Sequence, residues 1–204
     1  MKHIIFIRAH FKDEDLFKKY MTVSKEVLLP QLNSQTNKNF TVCFSVYCDE
    51  HKDIISDLLD SSVNRMFTNN LYMDQEFMDY IRGESYDIQT RHDIDDWMSS
   101  DYIDEVQKTW TQHQITNPNE SKLLIQSQPR LFDFNTKETT EMKKQYSKEF
   151  VSMHLSLCQK GSDSYIFDQE HPKMFRVTEN IETLPLGLTR LVIHGNNISS
   201  SMSS

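Results

Sequence analysis

The feature that most restricts the fold is an alternation of two hydrophobic periods along the first hundred residues. Ile4-Ile5-Phe6-Ile7 is a continuous apolar run, the pattern of a strand buried on both faces, and it ends at Arg8-Ala9-His10-Phe11. Leu16, Tyr20, Val23 and Val27 then recur at helical spacing, with Asp13 or Asp15 placed to cap the start and Pro30 near the end. Phe40-Thr41-Val42-Cys43-Phe44-Ser45-Val46-Tyr47 is rich in β-branched and aromatic residues and stops at Cys48-Asp49-Glu50. Ile54, Ile55, Leu58 and Leu59 mark a short helix, and residues 63–67 a third strand. The order β-α-β-α-β predicts a parallel sheet covered by helices, with ligands at the carboxyl ends of the strands. Those ends are Arg8, Asp49 and the region after Phe67.

Further on, Tyr72, Phe77 and Ile81 predict a helix that leads through Gly83 to a strand over residues 86–91, and Ile103, Val106 and Trp110 predict another helix. Aromatics at that spacing read as core. Leu123-Leu124-Ile125 and Leu131-Phe132-Asp133-Phe134 read as an antiparallel hairpin around Pro129, followed by a polar turn or short helix over 137–144. Phe150, Val151, Met153 and Leu155 alternate, and Tyr165-Ile166-Phe167 reads as a short strand. A last apolar strand, Arg190-Leu191-Val192-Ile193, runs into His194 and a polar terminus, and the Ser-rich residues 198–204 are expected to be disordered. No repeat or linker interrupts the pattern. The 204 residues therefore suit one α/β domain over 1–197 with a central, mixed, mostly parallel sheet.

Charge and cysteine usage remove several function classes. A formal charge of −8 argues against a nucleic-acid-binding surface, which needs clustered Lys and Arg. Cys43, Cys48 and Cys158 are an odd number without metal-ligand spacing, as expected of a reducing compartment. No stretch approaches the ~18 apolar residues that a membrane span needs, so no membrane span and a cytoplasmic location are expected.

The segment with chemical promise is Tyr86-Asp87-Ile88-Gln89-Thr90-Arg91-His92-Asp93-Ile94-Asp95-Asp96-Trp97. If the strand continues through it, Asp93 and Asp95 share a face, because strand side chains repeat every two residues. Two hard oxygen donors suit Mg²⁺ or Mn²⁺, which fill their remaining positions with water and substrate phosphate. Arg91 adds a fixed cation beside them, useful for a diphosphate. The other reading of the same residues is a solvated acidic turn. A calcium loop of the helix–loop–helix kind fits poorly, since Met98 and Asp104 stand where Gly and Glu are needed.

Three segments in this order carry a resemblance. Thr90-Arg91-His92-Asp93-Ile94-Asp95-Asp96 resembles the T-R-x-D-x-D-D segment of the rhamnosyltransferase-like family of GT-A glycosyltransferases. Leu29-Pro30-Gln31-Leu32-Asn33-Ser34-Gln35-Thr36, followed by Phe40, is similar to its L-P-S-x-x-x-Q-T-x-x-x-F stretch, with Gln31 in place of Ser. His194-Gly195-Asn196-Asn197 is similar to its closing H-G-x-N. The resemblance implies a GT-A-like domain whose half 1–111 binds a nucleotide-sugar (UDP-, GDP- or dTDP-linked) and whose half 112–197 receives a glycan or other acceptor hydroxyl. It also implies that Asp93, Asp95 and His194 hold Mn²⁺ or Mg²⁺, that Asp96 orients a bound water or sugar hydroxyl, and that Arg8, Asp49, Arg91 and Asp93 line the donor pocket. Asp168 and Glu170, with His171 behind them, are the first acids to consider as base for the acceptor hydroxyl. Two other functions stay open at this point: a phosphohydrolase or phosphotransferase with an aspartyl nucleophile, and a non-catalytic carbohydrate-binding module.

Overall fold

The structure, a computed structural model, describes residues 1–72, 74–142, 154–161 and 163–194. The sequence expectations for 143–144, 150–153, 195–197 and the tail 198–204 lie outside those residues, as does the side chain of His171. In chain order the elements are β1 (His3–Ala9), α1 (Glu14–Glu26), α2 (Leu28–Ser34), β2 (Thr41–Val46), α3 (Asp49–Leu58), β3 (Asn64–Thr68), α4 (Gln75–Gly83) and β4 (Ile88–Asp93). They continue with β5 (Trp97–Met98), α5 (Tyr102–Thr116), β6 (Lys122–Gln126), β7 (Arg130–Asp133), β8 (Thr139–Thr140) and β9 (Leu155–Gln159). A 3₁₀ turn at His171–Arg176, β10 (Ile181–Thr183) and β11 (Thr189–Ile193) complete them.

The first four strands run parallel in the order β3-β2-β1-β4, as the alternating pattern requires. Beyond β4 the sheet continues through β9, antiparallel to both β4 and β6, and then through β6 and β10, giving seven strands in the order β10-β6-β9-β4-β1-β2-β3. β1 sits inside with both faces covered, which explains its unbroken apolar run. Ile5 and Ile7 face one core with Phe17, Leu28, Tyr102 and Trp110 from α1, α2 and α5. Ile4 and Phe6 face the other, where Phe6 meets Tyr72, Phe77, Tyr165 and Phe167 edge-on at centroid distances of 5.2–6.3 Å. Asp13 caps α1 by accepting from Leu16 N–H at 2.9 Å. Pro30 does not end that helix: α1 stops at Glu26, and Pro30 lies in the first turn of α2, where a missing N–H costs no intrahelical bond.

Three features differ from the sequence reading. No hairpin forms around Pro129: β6 stays in the seven-stranded sheet, whereas β7 joins a second sheet ordered β5-β11-β7-β8. Between β6 and β7 the chain crosses from one sheet to the other, held by the 2.7 Å contact of the Ser127 and Thr189 hydroxyls. The hairpin in this part of the chain is β7–β8, turned by the Asp133 carboxylate accepting from the N–H groups of Asn135 and Thr136. Tyr165, Ile166 and Phe167 form no strand. Their backbone is satisfied by side chains, Gln89 accepting from Ile166 N–H and Asp168 from Tyr165 N–H, which frees the three side chains to plug the core over Phe6.

Tyr72 precedes α4 instead of lying on it, and its buried hydroxyl reaches between β1 and β2. There it accepts from the N–H groups of Ile7 and Ser45 and lies in donor range of the Ile7 and Cys43 carbonyls. Among the described residues no helix is long and apolar enough to cross a membrane.

Candidate active site

At its carboxyl edge the parallel sheet gathers charge. Arg8 of β1 pairs in register with Asp93 of β4, and Phe6 with Arg91, so Arg8, Arg91 and Asp93 share the Phe6 side of the sheet. Arg91 lies over the Phe167 ring at 4.5 Å. Burial pulls its guanidinium below the usual arginine range; Asp93 counters that shift and Arg8 reinforces it. Neither Arg8 nor Arg91 has an ion-pair partner among the described residues, which leaves two guanidinium groups available at a strand end.

The acidic motif divides after Asp93. β4 ends there, and residues 94–96 turn, so the two-residue alternation does not carry Asp95 to the face of Asp93. Asp93 is exposed, while Asp95 and Asp96 are buried. β5 follows at once and pairs antiparallel with β11, which returns the end of β11 to the turn. The result is a contact across 99 residues of sequence: His194 Nε2 donates to Asp95 Oδ2 at 2.9 Å. The Tyr20 ring stands edge-on to His194 at 5.2 Å.

Asp96 has a different part from the one its place in the motif suggested. Its Oδ1 accepts from Val192 N–H at 2.9 Å, and its Oδ2 lies 3.0 Å from His154 Nε2 on the segment before β9. Both side chains are fully enclosed. Burial, with the charges of Asp95 and Asp93, raises the Asp96 carboxyl well above the usual range, and burial lowers His154 to about 4. Asp96 is therefore an internal brace between β4, β9 and β11. His92 points to the opposite side of the sheet, its ring 4.8 Å from that of His154, and burial lowers it to about 3.

Among the described residues no group of three or more His, Cys, Asp and Glu side chains could cage a metal ion. Two donors do fit a small divalent ion that takes the rest of its shell from phosphate and water. Octahedral ligands about 2.1 Å from such an ion stand about 3 Å apart along an edge. Asp95 Oδ2 and His194 Nε2 are separated by 2.9 Å. A carboxylate and an imidazole also form a donor set that manganese accepts.

The remaining candidates fall at three places. Asp49 opens α3, three residues past the end of β2, at the same carboxyl edge. Asp168 is committed: Oδ2 accepts from Tyr165 N–H at 2.7 Å and Oδ1 pairs with Arg82 of α4. Glu170 is exposed and pairs with Lys173 at 2.8 Å.

The sequence pattern gave no site role to four residues that shape this edge: Tyr20, His154, Phe167 and Gln35. Only Gln35 carried a signal, as part of Gln35-Thr36. Its buried amide donates to Ser99 O at 2.6 Å and accepts from Ile103 N–H, while Thr36 N–H donates to Ser100 O at 2.8 Å. The pair thus pins the loop that follows the acidic turn to the end of α2 and caps α5.

A family model described as "Putative rhamnosyl transferase" matches residues 7–202. No curated protein sequence matches the chain. Among solved structures, Staphylococcus aureus TarS 1-349 in complex with UDP-GlcNAc superposes with a TM-score of 0.62 at 12% identity, over 100% of this chain and 62% of that one. The complex of TarS 1-349 with UDP gives 0.55 at 11% identity, over 95% and 61%. A putative nucleotide-diphospho-sugar transferase from Desulfovibrio desulfuricans G20 gives 0.52 at 11% identity, over 99% and 91%. The chain thus spans about three fifths of the TarS 1-349 length it matches. At such identities the likeness shows the fold alone, a GT-A-like architecture with a central mixed sheet flanked by helices.

Proposed function

The chain belongs to the putative rhamnosyl transferase family, and on that premise we propose that it transfers a sugar from a nucleotide-diphosphate donor to an acceptor hydroxyl with the help of Mn²⁺ or Mg²⁺. The observation that carries the proposal is the contact of Asp95 with His194 at the same sheet edge as Arg8 and Arg91, which have no ion-pair partner among the described residues. Asp95 and His194 would hold the ion, and Asp93, exposed at the end of β4, would reach it through water or meet the donor sugar. Bound there, the ion would neutralise charge on the departing diphosphate.

The chain's own cations act on the same group. Arg8 and Arg91 present planar donor forks that match phosphate oxygens, and Phe167 fixes the Arg91 plane. Burial strengthens that attraction, because a partly desolvated guanidinium gains more from an anion than a hydrated one. Asp49, at the mouth of the β2–α3 junction, would accept from the imide of a uracil or thymine. The UDP and UDP-GlcNAc complexes of TarS favour a uridine donor. Asp168 and Glu170 remain the acids to test as base for the acceptor hydroxyl. Asp168 would have to exchange its bond with Arg82 for one with the acceptor.

The test is thermal unfolding with Mn²⁺ and UDP, GDP or dTDP against the ion alone. A ligand that binds only the folded state raises apparent stability by RT ln(1 + [L]/Kd), about 2.7 kcal/mol at a hundredfold excess over Kd. One nucleotide should produce that shift in the wild type and not in Asp95→Asn or His194→Ala. No shift with any nucleotide would refute the proposal.

A further inference from the structure

The second sheet carries another cationic feature that the donor reading does not use. Arg130 of β7 and Arg190 of β11 are partners in register on adjacent parallel strands, and Arg190 is also partnered with Trp97 on β5. Adjacent strands lie about 4.8 Å apart, so the three side chains leave one face of the sheet as a row. Neither guanidinium has an ion pair or a hydrogen-bond partner among the described residues, and the Nε atoms of both are buried and unsatisfied. Two like charges side by side are unfavourable, and a buried donor without a partner adds to that cost.

Packing explains only one of the two. Arg190 lies over Trp97 at 4.2 Å and over Phe132 at 5.8 Å, which supports a cation locally. Among the described residues Arg130 has no such ring. Its neighbour is the turn at Gly187, where a Cβ would stand 3.9 Å from Arg130 Nε and the positive φ of +97° favours glycine. The chain holds 30 acidic and 22 basic residues, so carboxylates are plentiful, yet none pairs with this couple among the described residues. Burial and the proximity of Arg130 lower the Arg190 guanidinium, as expected for a like-charged pair awaiting an anion.

We infer that Arg130 and Arg190 form an oxyanion-binding site that takes a phosphate or carboxylate group. Two planar forks on neighbouring strands can together satisfy the several lone pairs of such a group. The site is separate from the donor end. Four residues at about 3.3 Å each put Arg190 about 13 Å along β11 from His194. Val192, buried between them, packs against Val23 of α1 and Val27 just past its end. The inference therefore stands whether or not the nucleotide reading does.

The experiment uses the Arg8→Gln/Arg91→Gln protein, so that the first pair of cations does not contribute, and titrates inorganic phosphate, glycerol phosphate and glucuronate by calorimetry. At least one should bind at millimolar concentration or below, and Arg130→Gln added to that background should weaken it about tenfold or more. The three arms separate a free phosphate, an organic phosphate and a sugar carboxylate as the preferred group. Arg190→Gln should weaken binding as well, but it also removes the contact with Trp97, so Arg130→Gln decides. In the otherwise wild-type protein, Arg130→Gln should leave binding of UDP with Mn²⁺ unchanged. Failure of all three anions to bind, or equal affinity with and without Arg130, would overturn the inference.

Discussion

Asp96 offers the sharpest test of how the site is built, because brace and metal ligand demand opposite results from one pair of substitutions. Asp96→Ala removes the acceptor of Val192 N–H at 2.9 Å and the partner of His154 Nε2 at 3.0 Å, both within the core. Each of the two groups deprived of its partner costs about 1–3 kcal/mol, so Ala should cost about 2–6 kcal/mol, a large share of a typical 5–15 kcal/mol total. Asp96→Asn replaces the carboxyl by an isosteric amide whose oxygen can accept from Val192 N–H and whose N–H can donate to His154 Nε2. It should cost less than about 1 kcal/mol. The pH dependence gives an independent check. The Asp96 carboxyl is raised in the folded state, so the folded protein holds that proton more tightly than the unfolded chain. Its contribution is fully present below the unfolded carboxylate value and is lost as pH rises through the raised one. Asn has no such titration, so the stability of Asp96→Asn relative to wild type should improve with rising pH. Urea denaturation at several pH values, with Mn²⁺ affinity measured in parallel, reads all of this. If Asn were as damaging as Ala, or abolished Mn²⁺ binding, Asp96 would be acting through its charge and the brace would be wrong.

Asp95→Asn and His194→Ala should each lower Mn²⁺-dependent UDP affinity by about tenfold or more while the fold persists in circular dichroism; unchanged affinity would remove both from the site. Arg8→Gln and Arg91→Gln should each raise the UDP Kd by about tenfold, the scale of a charge-assisted phosphate contact, with a shallower salt dependence. Tyr72→Phe should cost about 2–4 kcal/mol in denaturant, because it removes the hydroxyl shared by Ile7 and Ser45 N–H groups in the core. His3, His92 and His154 are held neutral by burial, at about 3, 3 and 4. The unfolded chain therefore binds more protons than the folded one below the ordinary histidine value, and stability should fall between about pH 6.5 and 4, by up to roughly 4 kcal/mol per unit for three groups. A flat profile there would contradict their burial.

Several parts of this protein could be read without any coordinates because their signals are local. The apolar run of β1, the helical spacing of α1 with its Asp13 cap, the β-branched run of β2 and the periodicity of α5 all report burial on elements whose period is fixed by backbone geometry. Their order then leaves little choice but a parallel sheet with a ligand edge at Arg8, Asp49 and the end of β4. The misread segments share one cause. Residues 165–167 look like a strand because large apolar side chains are needed there, but the backbone partners come from Gln89 and Asp168, far away in sequence or out of period. β6 and β7 look like a hairpin because they are close in sequence, while their partners, β9 and β11, are distant.

The candidate site shows the same division within one motif. The residue order alone shows that three carboxylates and an arginine follow a buried strand, and that a histidine ends the last one. It did not determine which carboxylate meets which histidine. Asp93 exposed, Asp95 against His194 and Asp96 against His154 and Val192 N–H are outcomes of β4 ending at Asp93 and of β11 closing on β5. Local propensity fixes which residues form an element and which way it faces, whereas chemistry between strands about a hundred residues apart depends on long-range register, and no pattern confined to a short window encodes that.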